Sequence, residues 1–118
     1  MPRPIEALIH TDALAHNLQR ARQAAPDSRV WAVVKANAYG HGLENAVSAW
    51  RDRADGFALL DLNEAVQLRE GGLRKPILLL EGAFEVADLV LMAEYELTPV
   101  IHHADQVAMI VGAGLPAR

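Results

Sequence analysis

Four short runs of branched apolar residues, at 30–34, 56–60, 77–80 and 98–101, constrain the fold of this chain more than any other feature. None alternates apolar with polar residues, as a strand with one wet face would. Each is therefore predicted to be a strand buried on both faces, in a parallel sheet covered by helices. The segments around the runs carry helical spacing. Leu14, Leu18, Ala21 and Ala25 recur at intervals of three and four, with Thr11 or Asp12 as the cap and Pro26 as the stop. Beyond the second run, Asp61 with Glu64 three residues on resembles a capping box, and Ala65, Leu68 and Gly71-Gly72 complete another helix. A third helix is expected over 84–95, with Phe84, Ala87, Leu91 and Tyr95 on one face, and a fourth over 104–111, closed by Gly112 and Gly114.

Strand and helix thus alternate with a repeat of about 20 to 30 residues, the size of a βαβ unit with short loops. An open doubly wound sheet and a section of a (β/α)8 barrel both fit that alternation. A whole barrel takes about 250 residues, whereas this chain has 118. The expected fold is α/β: the N-terminal part, about four βα units, of a TIM-type barrel over 11–118, with the C-terminal half of the barrel absent. Residues 1–10 are expected to hold one short extra strand, through Ile5, Ala7 and Ile9, that pairs with something outside this section. The chain ends in a turn-like segment, 115–118, where the next strand would begin, and truncation of a longer protein is expected.

Composition narrows the function classes. With 52% hydrophobic residues the chain can build a packed core. The 15 acidic and 11 basic side chains leave a net charge of −4 and no basic block, which argues against a nucleic-acid partner. There is no cysteine, so disulfides, thiolate chemistry and Cys-based zinc sites are excluded. The N-terminus shows no long apolar run of the kind a signal peptide or membrane span needs, and a cytoplasmic location with no membrane contact is expected.

The chemistry concentrates after the first run. Lys35 directly follows it, at the end of a buried strand that forms the active-site face in a parallel barrel. Desolvation there favours the neutral amine, the form that attacks an aldehyde. A lysine at a strand end that simply reaches into water fits the position too. Asn37, Tyr39, Gly40, His41 and Gly42 follow in one turn-rich loop that suits an anion such as phosphate, or serves only to turn the backbone. His41 is read as a residue that orders this backbone. His102-His103 closes the fourth run, but adjacent strand residues point to opposite faces and no third ligand stands near, so no metal is expected. Asp52, Asp55, Asp61 and Glu64 read as caps and solvated faces.

The uninterrupted stretch AVVKANAYGHG at 32–42 resembles the pyridoxal 5'-phosphate attachment motif of alanine racemases. LLDLNEA at 59–65 and PILLLEG at 76–82 look like the second and third barrel units of the same family, so the resemblance covers nearly the whole chain. It implies that Lys35 is both the catalytic residue and the covalent anchor of pyridoxal 5'-phosphate. Tyr39 would hydrogen-bond the cofactor phosphate, and Val33 and Leu80 would be apolar neighbours of the cofactor. It also implies that the parent enzyme interconverts L- and D-alanine, supplying D-alanine for the cell wall or serving alanine catabolism, as a homodimer. In that family the second base is a tyrosine of the partner subunit's β domain, and an arginine from a later barrel strand faces the pyridine nitrogen. Both belong to regions this chain lacks, so the chain alone is expected to be inactive, and Tyr95, expected on an outer helix, does not replace the missing base. Unpaired strand edges would favour self-association. A pyridoxal-phosphate decarboxylase, a racemase of another amino acid and a non-catalytic single-barrel cofactor-binding protein are the rival readings.

Overall fold

The computed structural model describes residues 3–115. Its elements run in the order α1 (Thr11–Ala24), β1 (Trp31–Val33), α2 (Lys35–Tyr39), α3 (Leu43–Trp50), β2 (Gly56–Leu59), α4 (Leu62–Glu70), β3 (Ile77–Leu79), α5 (Val86–Glu94), β4 (Thr98–Pro99) and α6 (Ala104–Ala113). The four strands form one parallel sheet in the order β1-β2-β3-β4. Every connection steps to the next strand in the same direction, so there is no switch point of the doubly wound kind, and the arrangement is that of consecutive units of a barrel.

Register assigns the two faces. Ala32 pairs with Phe57 and Phe57 with Ile77, while Leu59 pairs with Leu79. These side chains are buried, and they share a core with Leu18 of α1, Ala46 and Val47 of α3, Ala65 of α4, and Leu89 and Met92 of α5. The helices therefore cover this face. The alternate positions, Val33, Ala58, Leu78 and Thr98, line the opposite, inner face. Trp31 lies one layer below, and its indole occupies the space that a Cβ at Gly56 would need, which is why the facing position has no side chain. Burial on both faces was expected for every strand and is met in β2, whereas β1 leaves Trp31 44% and Val33 36% exposed. No described segment crosses the inner face to cover them.

Several local expectations change. Residues 3–10 carry no strand within this chain, and Ile5 and Leu8 are exposed, because no described strand lies alongside them. His10, not Thr11 or Asp12, occupies the N-cap of α1. Asp61 caps α4 as expected, accepting from Asn63 N at 2.7 Å and Glu64 N at 3.2 Å, without a reciprocal bond from Glu64. Phe84 stands outside α5 at 71% exposure, and the buried face of that helix is Leu89 and Met92 rather than Phe84 and Ala87. The reason lies at its start, where the Asp88 carboxylate takes the Phe84 and Glu85 amides at 3.0 and 3.1 Å and ends the helix there. Gly112 lies inside α6, which Gly114 closes in a left-handed conformation. The segment that begins at Pro116 lies outside the described residues.

The largest addition is α3. Leu43, Ala46, Val47 and Trp50 follow helical spacing, and Ala46, Val47 and Ala49 are buried. Trp50 donates from Nε1 to the Leu14 carbonyl of α1 at 2.6 Å, fixing the two helices together over β1.

Candidate active site

The parallel ladder continues one step past the strands on the carboxyl side. Val34 N bonds Ala58 O at 2.8 Å, Leu80 N bonds Leu59 O at 2.9 Å, and Val100 N bonds Leu79 O at 2.9 Å. Lys35 is thus the first residue beyond the last ladder bond of β1. It follows Val34, where the backbone leaves extended geometry (φ −122°, ψ 20°), and Leu80 occupies the equivalent level beyond β3, on the face of Leu78. Lys35 and Leu80 are half-buried. Among the described residues, neither Lys35 nor Tyr39 has a side-chain hydrogen bond or an ion pair. Tyr39 is 60% exposed.

The backbone joining these two residues is unusual. Ala36, Asn37, Ala38 and Tyr39 all lie in the left-handed region, with φ of 52°, 54°, 53° and 56°. The element α2 is therefore a single left-handed turn entered from Lys35. L-residues visit this region singly and at a cost of roughly 1–2 kcal/mol each, so the turn needs support. Asn37 Oδ1 accepts from Leu43 N at 2.8 Å at the first residue of α3. The Asn37 carbonyl accepts from Gly40 N at 3.1 Å and Gly42 N at 3.0 Å. The Ala38 carbonyl accepts from His41 N at 3.1 Å and from His41 Nδ1 at 2.9 Å, which places a proton on Nδ1. His41 orders backbone, as its sequence context suggests. Gly40 and Gly42, with φ of 91° and 93°, complete the exit.

Across the same edge, the loops after β3 and β4 are joined by Gln106, the one polar side chain that is buried among the described residues. Its Oε1 accepts from His102 N at 2.8 Å, and its Nε2 donates to Glu81 O at 3.2 Å, with a longer approach of 3.5 Å to Ala83 O. Gly82, with φ of 73°, has no room for a Cβ beside Val100 O and the Gln106 amide. His102 and His103 do not face one another as ligands: His102 Nε2 donates to Glu81 O at 3.1 Å, while His103 Nδ1 accepts from Asp105 N at 3.1 Å and caps α6. Sequence reasoning missed both Gln106 and the part played by Asn37. A glutamine three residues into a helix and a loop asparagine carry no periodic signal of their own.

The opposite, amino edge holds the charged network. Arg69 donates to four carbonyls, those of Tyr95 (2.8 Å), Leu73 (2.9 Å), Lys75 (2.7 Å) and Glu96 (3.1 Å), and burial lowers its pKa. Asp55 accepts from Val30 N at 2.7 Å and from Arg22 Nη1 at 2.9 Å, and these two bonds, the amide first, hold its carboxyl below the ordinary value. Tyr95 donates to Glu70 at 3.0 Å, a bond that raises its pKa and that lies at the end of α5 remote from Lys35. No group of three or more metal-capable side chains occurs among the described residues, and no helix among them is long and apolar enough to cross a membrane.

The carboxyl edge suits a ligand that combines an aldehyde, a flat apolar ring and an anionic group. It offers a half-buried amine, an unpaired phenol and two apolar side chains. The chemistry of that donor set fits pyridoxal 5'-phosphate: an amine for the aldehyde, a hydroxyl for the phosphate, and Val33 and Leu80 for the ring.

Known proteins share both the sequence and the fold of this chain. Residues 9–117 match the family described as alanine racemase, N-terminal domain. The alanine racemase of Albidiferax ferrireducens is 59% identical over 110 residues, which are 93% of this chain and 29% of the relative. That of a Polaromonas species is 63% identical over 110 residues, 93% of this chain and 30% of the relative. Among solved structures, the biosynthetic alanine racemase of Pseudomonas aeruginosa superimposes with a TM-score of 0.86 at 43% identity, covering 91% of this chain and 30% of that one. The enzyme from Acinetobacter baumannii gives 0.83 at 36% identity, with 88% and 31% covered. The chain thus spans just under a third of the length of the relatives it matches.

Proposed function

We propose, since the chain belongs to the alanine racemase family over nearly its whole length, that it supplies the cofactor lysine and one proton-transfer base to the interconversion of L- and D-alanine. The observation that carries this is the position of Lys35, half-buried at the carboxyl end of β1 and without an ion pair among the described residues.

Pyridoxal 5'-phosphate, when bound, supplies an aldehyde for covalent capture and a conjugated ring that takes up electron density from the substrate Cα. Lys35 Nζ is the residue that holds it. Tyr39 Oη would bind the phosphate, and Val33 and Leu80 would be apolar neighbours of the ring. Lys35 Nζ, as a free amine, would be the base that removes or returns the substrate Cα proton on its own face. Exchange of configuration needs a proton donor on the other face as well. Tyr95 is not that donor, because it lies at the amino edge in a bond with Glu70. The rest of the site, the dimer and the alanine pocket are assigned to the part of the relatives that this chain does not span. A cytoplasmic enzyme that furnishes D-alanine or degrades alanine is the role this reading gives the full-length protein.

The chain contains only two lysines, Lys35 and Lys75, and they lie at opposite edges of the sheet. Pyridoxal phosphate followed by borohydride reduction and peptide mapping should label Lys35 and spare Lys75. An adduct that survives Lys35→Ala overturns the assignment. The 118-residue chain should show no alanine racemisation by itself, and measurable turnover in a polarimetric or coupled assay would contradict the single-base reading.

A further inference from the structure

The left-handed turn between Lys35 and Tyr39 is not held by its own propensity. Four consecutive non-glycine residues at positive φ run against the preference of L-residues, and a right-handed turn of the same sequence would leave Tyr39 on a different side of the chain from the one it occupies. Two side chains oppose that relaxation. His41 reaches back three residues to the Ala38 carbonyl at 2.9 Å, closing the turn from its exit. Asn37 sits within the turn and is bonded outward, at 2.8 Å, to the first amide of α3. The helix α3 is itself anchored to α1 through Trp50, so the turn is fastened to a rigid element rather than to another loop. Asn45 Nδ2 bonds His41 O at 3.0 Å and fixes the backbone at His41 in turn.

We infer that His41 and Asn37 are positioning residues that keep Ala36–Tyr39 left-handed and thereby set the Tyr39 hydroxyl at the phosphate end of a ligand held on Lys35. The inference rests on the functional reading above for the ligand, but not for the turn. Both residues bond backbone groups of the turn and its exit, His41 through Ala38 O and Asn37 through Leu43 N. They act through the backbone, and the energy they supply offsets conformational strain that L-residues would otherwise shed.

The test uses the 118-residue chain with His41→Phe, Asn37→Ala and the double variant. In ligand-free samples, the strong intraresidue amide-to-Hα NOEs that positive φ produces should be present at 36–39 in the parent and weakened in the variants. With ligand, the ratio of affinities for pyridoxal phosphate over unphosphorylated pyridoxal should fall about fivefold for each single variant, the worth of one hydrogen bond. Tyr39→Phe should lower the same ratio. The pyridoxal adduct at Lys35 should form as before, which a merely unfolded variant would not allow. Adding Ala36→Gly, which makes positive φ free of cost at an exposed position, should restore the ratio in His41→Phe. Unchanged NOEs in the double variant, or an unchanged phosphate preference, overturns the inference. If the parent chain binds pyridoxal and pyridoxal phosphate at neither lysine, the functional reading fails, and the NOEs alone decide whether His41 and Asn37 hold the turn.

Discussion

The two edges of the sheet are built from different materials. At the amino edge, charged side chains satisfy backbone groups: Arg69 collects four carbonyls from two loops, and Asp55 ties the Val30 amide to Arg22. At the carboxyl edge, Asn37, His41 and Gln106 hold loops that include a strained left-handed turn, while Lys35 and Tyr39 are left without partners among the described residues. One edge spends its polar groups on holding the fold together. The other leaves an amine and a phenol unbonded among the described residues, and under the proposed function these are the groups that meet a ligand at the carboxyl face of a barrel.

Substitutions at Arg69 should break this contrast most visibly. Arg69→Ala leaves four carbonyls without their donor and should cost about 3 kcal/mol in urea unfolding, with Arg69→Lys recovering less than half because an ammonium lacks the fork. The pyridoxal phosphate adduct at Lys35 should persist under native conditions. Next in size is Gln106→Leu, which strands the His102 amide, removes one of two donors to the Glu81 carbonyl and should cost about 2 kcal/mol. A smaller loss would mean that the loops after β3 and β4 stand without their amide staple.

Asp55 gives a smaller effect that depends on pH. Its folded-state pKa lies below the ordinary value of 3.8, so its contribution is present at neutral pH and is lost as the pH falls from that value through the lower folded one. Denaturation midpoints of the parent chain and Asp55→Asn, compared across this acid range, should therefore converge as the pH drops. Divergence would show that Asp55 acts through packing instead. Smallest of all are the changes in stability for Lys35→Ala and Tyr39→Phe, expected within about 0.5 kcal/mol of the parent chain because neither side chain has a partner to lose. A larger loss would place these residues in the fold's own support and erase the contrast between edges.

The strands, the barrel-like order and the position of Lys35 were legible in the sequence because each rests on a local, repeated pattern. Unbroken apolar runs mark the strands, and a lysine directly after one of them must lie at its carboxyl end. The face of α5 was misread for an equally local reason. Phe84 has the right spacing, but Glu85 is the N-cap and Asp88, three residues on, takes the Phe84 and Glu85 amides, so the helix starts at Val86, and no apolar count reveals that. The helix α3 is legible in principle through Leu43, Ala46, Val47 and Trp50, but it starts directly from Gly42 with no side-chain cap to mark its first turn. The left-handed turn was not legible at all. Alanine, asparagine and tyrosine are ordinary residues, and the side-chain bonds of His41 and Asn37, made across three and six positions, leave no periodic mark in the sequence.

The sheet order has a further consequence, for assembly in time. Each strand pairs with the one completed immediately before it, with partners about 20 to 25 residues apart along the chain. Loop closure at that separation is inexpensive and rapid. The sheet can therefore grow in the direction in which the polypeptide leaves the ribosome, each new βα unit docking on a finished neighbour, with β1 and the lysine beside it set in place first.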